Sequence, residues 1–220
     1  FSCLAKPNAI RKLAKRADVS YVYLDRFARP QKKPMPMSKK QTSAMKEVFA
    51  TWKKKEPEPI LSMRIPWNVR GIGAEMAWKE ENATGRGVTV AVIDSGILPT
   101  PSLIRALAKN PKEELNGKDD DGNGLIDDVF GYDFMSNTGY VLETSRTMSH
   151  GSCCAGIIAG RSSAKGWQTA IAPDSRLLLL KGGFDLRSME YLLLNGADLV
   201  SMSYMIVGRD LGQIRGLFRN

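Results

Sequence analysis

The sequence predicts an α/β protein built on a doubly wound, mostly parallel β-sheet, preceded by a partial α+β segment. Two observations lead to this prediction. Residues 88–93 read VTVAVI, a continuous apolar and β-branched run that is typical of a strand buried on both faces of a parallel sheet. Further along the chain, short apolar runs alternate with helical patterns, which indicates strands joined by crossover helices.

The remaining elements of this unit follow in chain order. Residues 151–160 have the spacing of a helix packed through small residues, and residues 176–180 are a second strand-like run. Residues 186–195 fit a crossover helix that stops before Gly196, and residues 199–202 form a third strand. We therefore expect one α/β unit over residues 61–220.

The first 60 residues differ in charge from the rest of the chain. Residues 1–65 hold 16 Lys and Arg against 5 Asp and Glu, whereas residues 66–220 hold 16 against 18. The net charge of +9 therefore belongs to the N-terminal segment. No nucleic-acid partner is expected, because few aromatic residues and no recognised binding motif accompany this charge.

Residues 1–60 are predicted to be a partial module and a basic linker. A basic helix is expected at residues 5–16 and a strand at residues 19–24. A Pro-rich linker over residues 30–36 follows, and a second helix is expected at residues 41–55. No apolar run approaches the length that spans a bilayer, so no membrane span is expected.

Asp94 and His150 are the candidates for chemistry. Asp94 directly follows the buried strand, and the carboxyl ends of parallel strands are where sites form in open α/β sheets. The alternative for Asp94 is a residue that caps the next turn by accepting backbone N–H bonds. His150 is the only histidine and begins the Gly-rich helix, whose small residues indicate close packing; a structural role is the alternative.

These segments resemble the subtilisin-like serine proteases, the subtilases. VAVIDSGI at residues 90–97 is similar to the segment around the family's catalytic Asp, and SHGSCCAGIIAG at residues 149–160 to its His segment, in the same order. WNVRGIGAEMAW at residues 67–78, IAPD at 171–174 and GADLVSMS at 196–203 resemble further family segments. The departures are Cys153, Met205 and the TPSL of residues 100–103, which stand where the family usually has other residues.

The resemblance implies a serine endopeptidase in the intact parent protein. Asp94 and His150 would be two members of the catalytic triad, and Ser201 and Ser203 would bind the backbone of a protein or peptide substrate. The family's nucleophilic Ser and oxyanion Asn belong beyond residue 220, so this chain alone is expected to be inactive. The resemblance also implies that residues 1–60 end an inhibitory propeptide, and that the parent is secreted or at the cell surface.

An acidic stretch, KDDDGNGLIDD at residues 118–128, resembles part of a calcium-binding loop. Asp119, Asp121 and Asn123 fall at loop positions 1, 3 and 5, and Asp127 falls at position 9. The bidentate Glu at position 12 is absent, and Asp128 offers a substitute. Structural calcium at this loop and a solvated turn are both consistent with the pattern.

Two other functions remain open at this stage. One is a non-catalytic subtilase-like domain that binds or scaffolds, which would lack the downstream Ser. The other is a nucleotide-binding protein that uses the GIG of residues 71–73. That motif precedes the strand and lacks the third Gly of a dinucleotide-binding loop, which disfavours it.

Overall fold

A computed structural model of the chain describes residues 33–53, 64–143, 149–160, 166–182 and 186–204. The helix predicted at residues 5–16 and the strand predicted at residues 19–24 lie outside the described residues. The elements, numbered in chain order, are α1 (Lys39–Trp52), α2 (Trp67–Gly71), α3 (Ala74–Glu80), β1 (Thr89–Asp94), α4 (Pro101–Ile104), β2 (Gly131–Asp133), α5 (His150–Ala159), β3 (Arg176–Lys181), α6 (Leu186–Leu194) and β4 (Leu199–Ser201).

The four described strands form one parallel sheet in the order β2-β3-β1-β4. In β1, Val90 and Val92 join the core on one face, whereas Ala91 and Ile93 join the core on the other. Burial on both faces explains why this strand is continuously apolar. The predicted fold class is therefore confirmed.

The strands and helices predicted in residues 61–220 agree with the structure to within one or two residues at each end. β1 extends to Asp94, β3 extends to Lys181, and α5 begins at His150. The strand that sequence reasoning missed is β2, which is only three residues long and contains a glycine and an aspartate. Such a strand has too short an apolar run to be recognised, and it is stabilised by pairing with β3.

Helix α1 begins two residues earlier than predicted, because Ser38 and Gln41 form a reciprocal capping box. The Ser38 hydroxyl accepts from the Gln41 N–H, and the Gln41 side chain accepts from the Ser38 N–H. The helix ends at Trp52. None of the described helices has both the length and the apolar character needed to cross a membrane.

The side chains of α1 pack into the same core as the sheet. Met45 and Val48 are buried there. Phe49 and Trp52 stack on each other and contact Phe130, which directly precedes β2. The Trp52 Nε1–H donates to the carbonyl of Leu107 at 3.0 Å. The domain boundary at residue 60 stays a prediction, and any cut there would separate α1 in sequence from a core that it helps to fill.

We predict that Met45→Ala lowers the free energy of unfolding by about 2–5 kcal/mol, because it leaves a cavity in a fully buried site. Urea unfolding measures this change. The matched control is Met35→Ala, since Met35 is largely exposed and its loss should change stability by less than about 0.5 kcal/mol. Equal, small effects of the two variants would mean that α1 does not share the core.

Candidate functional site

Asp94 and His150, predicted to act together, meet at the carboxyl edge of the sheet. Asp94 is the last residue of β1, and His150 is the first residue of α5. The His150 Nδ1 lies 2.9 Å from both Oδ1 and Oδ2 of Asp94. The structure thus places the imidazole against the carboxylate through one ring nitrogen.

Close packing of the two segments makes this contact possible. A Cβ on Gly151, the second residue of α5, would collide with the carbonyl oxygen of Gly96. Gly96 itself has φ of 97°, and a Cβ there would lie 2.5 Å from the carbonyl oxygen of Val141. The first turn of α5 therefore rests directly on the loop that follows β1, which brings His150 within reach of Asp94.

Two serine hydroxyls join the same two segments. The Ser95 Oγ accepts from the Gly151 N–H at 3.2 Å, and the Ser152 Oγ accepts from the Leu98 N–H at 2.8 Å. The Ser95 Oγ also donates to Glu143 Oε1 at 3.1 Å. Sequence reasoning did not identify these serines as supports; their position beside the two motif residues is the pattern that points to them.

The pair combines a buried carboxylate with an accessible imidazole. The side chain of Asp94 is 8% exposed, whereas that of His150 is 54% exposed. Asp94 also accepts from the Ser95 N–H at 2.7 Å, so the turn-capping role and the pairing role occur together. A donor at Nδ1 leaves Nε2 as the basic nitrogen, which can accept a proton from a reacting group.

Cys154 lies beside the imidazole, one helical turn after His150. Its Sγ is 3.8 Å from Nδ1 and 3.9 Å from Nε2, so the sulfur is in line with neither nitrogen. Cys154 is half-buried, whereas Cys153 is exposed. The contact fits a packing role for Cys154 against the ring.

Ser201 and Ser203 lie at the end of β4, close to the same edge of the sheet. Ser201 is the last residue of β4 and is paired in register with Val92 of β1, while Ser203 is exposed. Among the described strands, β4 is at the edge of the sheet and pairs only with β1. Its other side is the side where an extended segment would add.

The acidic loop uses two of its predicted ligands to hold its own backbone. Asp119 accepts from the N–H groups of Gly122, Asn123 and Gly124. Asp127 accepts from the N–H groups of Asn116 and Gly117. These carboxylates shape the turn, and neither belongs to the group of acidic oxygens that converges in the structure.

The carboxylates that converge are those of Glu113, Asp121 and Asp128, which we call the acidic cluster. One oxygen of each lies within 4.8 Å of the others. Asn110 donates side-chain N–H groups to Asp121 and Asp128, and Asn123 donates one to Asp128. Of the four predicted ligands, Asp121 lies in the cluster; Asp128 was the predicted substitute, and Glu113 lies outside the sequence motif.

The acidic cluster contains buried oxygens without a partner. Glu113 and Asp128 are both 0% exposed, and the Oε2 of Glu113 and the Oδ1 of Asp128 accept no hydrogen bond. Burial raises the pKa of Glu113 to about 7, and it also raises the pKa of Asp128. A buried carboxylate oxygen with no donor is costly, and a divalent cation bound by oxygen ligands would satisfy it.

Comparison with known proteins identifies relatives for the region that holds these sites. The sequence model of the subtilase family matches residues 85–208. Subtilisin-like protease 1 of Plasmodium berghei is 38% identical over 96 residues, which are 42% of this chain and 15% of that protein. Mycosin-1 of Mycobacterium tuberculosis is 35% identical over 116 residues, 53% of this chain and 20% of that protein.

Among solved structures, MycP1 from Mycobacterium smegmatis is similar to this chain at 26% identity with a TM-score of 0.39. The similarity covers 63% of this chain and 36% of that one. The chain spans at most a fifth of the length of the two curated relatives named above.

We predict that stability falls as pH rises from about 4.5 through about 7 when divalent cations are chelated. Burial raises the pKa of Glu113 above its unfolded value of 4.5, so the folded protein binds more protons than the unfolded chain in this window. The free energy of unfolding therefore decreases with pH there. Urea unfolding at pH 5 and pH 8 measures the change.

Glu113→Gln is the control, because it keeps the shape of the side chain and removes the titrating group. Its free energy of unfolding should depend less on pH than that of the wild type, and it should be the more stable protein at pH 8. Parallel pH curves for the two proteins would contradict the assignment to Glu113.

Proposed function

Because this chain belongs to the subtilase family, we propose that it supplies the Asp and His of the active site of a serine endopeptidase. The observation that supports this most directly is the contact of a buried Asp94 carboxylate with the Nδ1 of an accessible His150. The relatives named as subtilisin-like protease and mycosin support a peptidase over the other reactions of α/β proteins.

In the proposed reaction, a Ser hydroxyl supplied by the parent protein attacks the carbonyl of the scissile peptide bond. His150 accepts the hydroxyl proton at Nε2 and later donates it to the departing amine. Asp94 fixes the imidazole by accepting the Nδ1 proton and stabilises the charged ring that forms. The geometry around Asp94 supports this role, since the carboxylate is held by Ser95 and is shielded from water.

The proposed substrate is an extended protein or peptide segment that adds to β4. The exposed side chains of Val200, Met202 and Ser203 would contact it, and the backbone of residues 201–203 would provide the hydrogen bonds. The proposal also includes export of the parent and a propeptide that precedes the α/β unit, both of which come from the family resemblance.

We predict that His150→Ala and Asp94→Ala each lower kcat of the full-length parent by about 10⁴-fold. Hydrolysis of casein measures the rate, and Cys153→Ser, an exposed change beside the site, is the matched control. Near-normal rates in either alanine variant would remove that residue from the mechanism. A parent with no Ser at the nucleophile position would indicate the binding or scaffold function instead.

We also propose that the acidic cluster binds calcium as a structural ion. Three carboxylates converge there, and two of their buried oxygens have no hydrogen-bond donor. Lys109 lies nearby, but its Nζ donates to the backbone carbonyls of Asn110 and Glu113. Calcium prefers oxygen ligands, and it would offset the mutual repulsion of the carboxylates. Glu113, Asp121 and Asp128 would hold the ion, and Asn123 and Asn110 would orient two of the carboxylates.

We predict that calcium at about 100 times its Kd raises Tm by about 5–10 °C, since binding to the native state alone adds about 2.7 kcal/mol. Thermal melts with calcium and with chelator measure this shift. Asp121→Asn should lose most of the shift. Asp127→Asn should keep it, because that side chain holds the loop backbone and is not in the cluster.

The pair of variants separates the two possible ligand sets. A shift lost in both variants would favour the loop ligands predicted from sequence, which include Asp121 and Asp127, whereas a shift kept in Asp121→Asn would contradict both sets. Identical Tm values with calcium and with chelator would mean that the cluster does not bind calcium.

A further inference from the structure

Three polar residues lie side by side across the carboxyl edge of the sheet. The pairing register sets Asp133 of β2 opposite Lys181 of β3, and Lys181 opposite Asp94 of β1. Asp94 belongs to the proposed active site. The function proposed above uses neither Lys181 nor Asp133.

Lys181 is held in place by contacts in two directions. Its Nζ lies 3.2 Å from Asp133 Oδ2 and donates to the carbonyl of Leu142 at 3.3 Å. The side chains of Lys181 and Asp133 are only 16% and 4% exposed. The remaining oxygen of Asp133 accepts from the N–H groups of Met135 and Ser136, so the carboxylate is anchored on both sides.

The Leu142 carbonyl belongs to a short segment, residues 141–143, which we call the strap. The strap runs parallel to the loop after β1: the Ile97 N–H donates to the carbonyl of Val141, and the Glu143 N–H donates to the carbonyl of Ile97. Val141, Leu142 and Ile97 are all buried. Lys181 is therefore the side chain that ties this strap to the end of β3.

The strap in turn supports the segments that carry Asp94 and His150. The Glu143 carboxylate accepts from the Ser95 hydroxyl, which accepts from the Gly151 N–H in the first turn of α5. The carbonyl of Val141 and the stem of Lys181 also pack against Gly96. A Cβ placed on Gly96 would lie 3.0 Å from the Lys181 Cδ. A shift of the strap would therefore move both partners of the pair.

We propose that Lys181 is a positioning residue for the Asp94–His150 pair, acting through its ion pair with Asp133 and its hydrogen bond to the strap. Among the contacts of the described residues, none joins Lys181 to the His150 imidazole. A neutral side chain at this position leaves Asp133 buried without its cation and releases the Leu142 carbonyl. The strap is then no longer tied to β3, and the loop after β1 loses the fixed segment that it packs against.

This inference depends on the proposed function for its kinetic consequence and on the structure alone for its spectroscopic one. The variants are Lys181→Met, which keeps the length of the stem and removes the charge, and Lys181→Arg, which keeps the charge. The matched control is Thr84→Val, which removes a partly buried hydrogen bond to Asp174 in the segment before β1. That contact is at the opposite end of β1 from Asp94.

In the full-length parent, Lys181→Met should lower kcat for a peptide p-nitroanilide by about 10- to 100-fold while KM changes little, because misplacement by about 1 Å costs about 100-fold. Lys181→Arg should recover most of this loss. Thr84→Val should lower Tm and leave kcat unchanged. Equal losses of kcat in Lys181→Met and Thr84→Val would mean general destabilisation and would overturn the proposal.

The second readout needs no catalysis. His150 is the only histidine of the chain, so ¹⁵N NMR of the labelled 220-residue protein reports a single imidazole. Wild type should show a proton on Nδ1, which is the tautomer that Asp94 selects. Lys181→Met should shift the population towards Nε2–H, whereas Thr84→Val should match the wild type.

The outcomes separate this proposal from the proposed function. A parent without peptidase activity whose His150 tautomer still depends on Lys181 would contradict only the proposed function. A folded Lys181→Met variant with the wild-type tautomer and kcat would overturn the positioning role. If Lys181→Met does not fold, Asp133→Asn is the alternative, because it removes the negative charge that pairs with Lys181 and keeps the shape of the side chain. This variant should show the same shift towards the Nε2–H tautomer. A wild-type tautomer in Asp133→Asn would overturn the positioning role.

Discussion

The first turn of a helix can pack directly against a backbone carbonyl of a neighbouring loop only if the helix residue at the contact has no Cβ. Gly151 meets this condition above Gly96, and the contact sets the distance between β1 and α5. The Asp94–His150 pair and the Ser95 hydrogen bond to the helix N-terminus both require that distance. A methyl group at residue 151 would separate the two halves of the site while leaving both of them intact.

Aspartates that lie only a few residues apart in the acidic loop have different structural roles. Asp119 and Asp127 accept backbone N–H groups and so behave as parts of the turn. Asp121 also accepts one, from Asn123, but in addition it lies against Asp128 in the cluster. Spacing in the sequence cannot separate these roles, because both favour Asp at alternating positions. Glu113 carries no local pattern at all, since only folding brings it to the cluster.

The elements of the fold that could be predicted are those in which successive residues have the same environment, such as strands buried on both faces. β1 and β3 are buried on both faces, so each is an unbroken apolar run. The pairing of Asp94 with His150 was implied by the resemblance to the subtilases, and their contact agrees with it. β2 could not be predicted, because its three residues depend on pairing with β3. Lys181 had no pattern either: its partners are 48 and 39 residues away in the chain.

The position of β1 in the sheet has a consequence for synthesis on the ribosome. β1 pairs with β3 and β4, and β3 begins about eighty residues after β1 ends. At about 5–20 residues per second, β1 waits roughly 4–16 s before its partner strand β3 begins to be made. Helix α1 is made before β1 and packs into the core on one of those faces. Helix α1 is thus available to cover one face of the nascent strand before the partner strands are made.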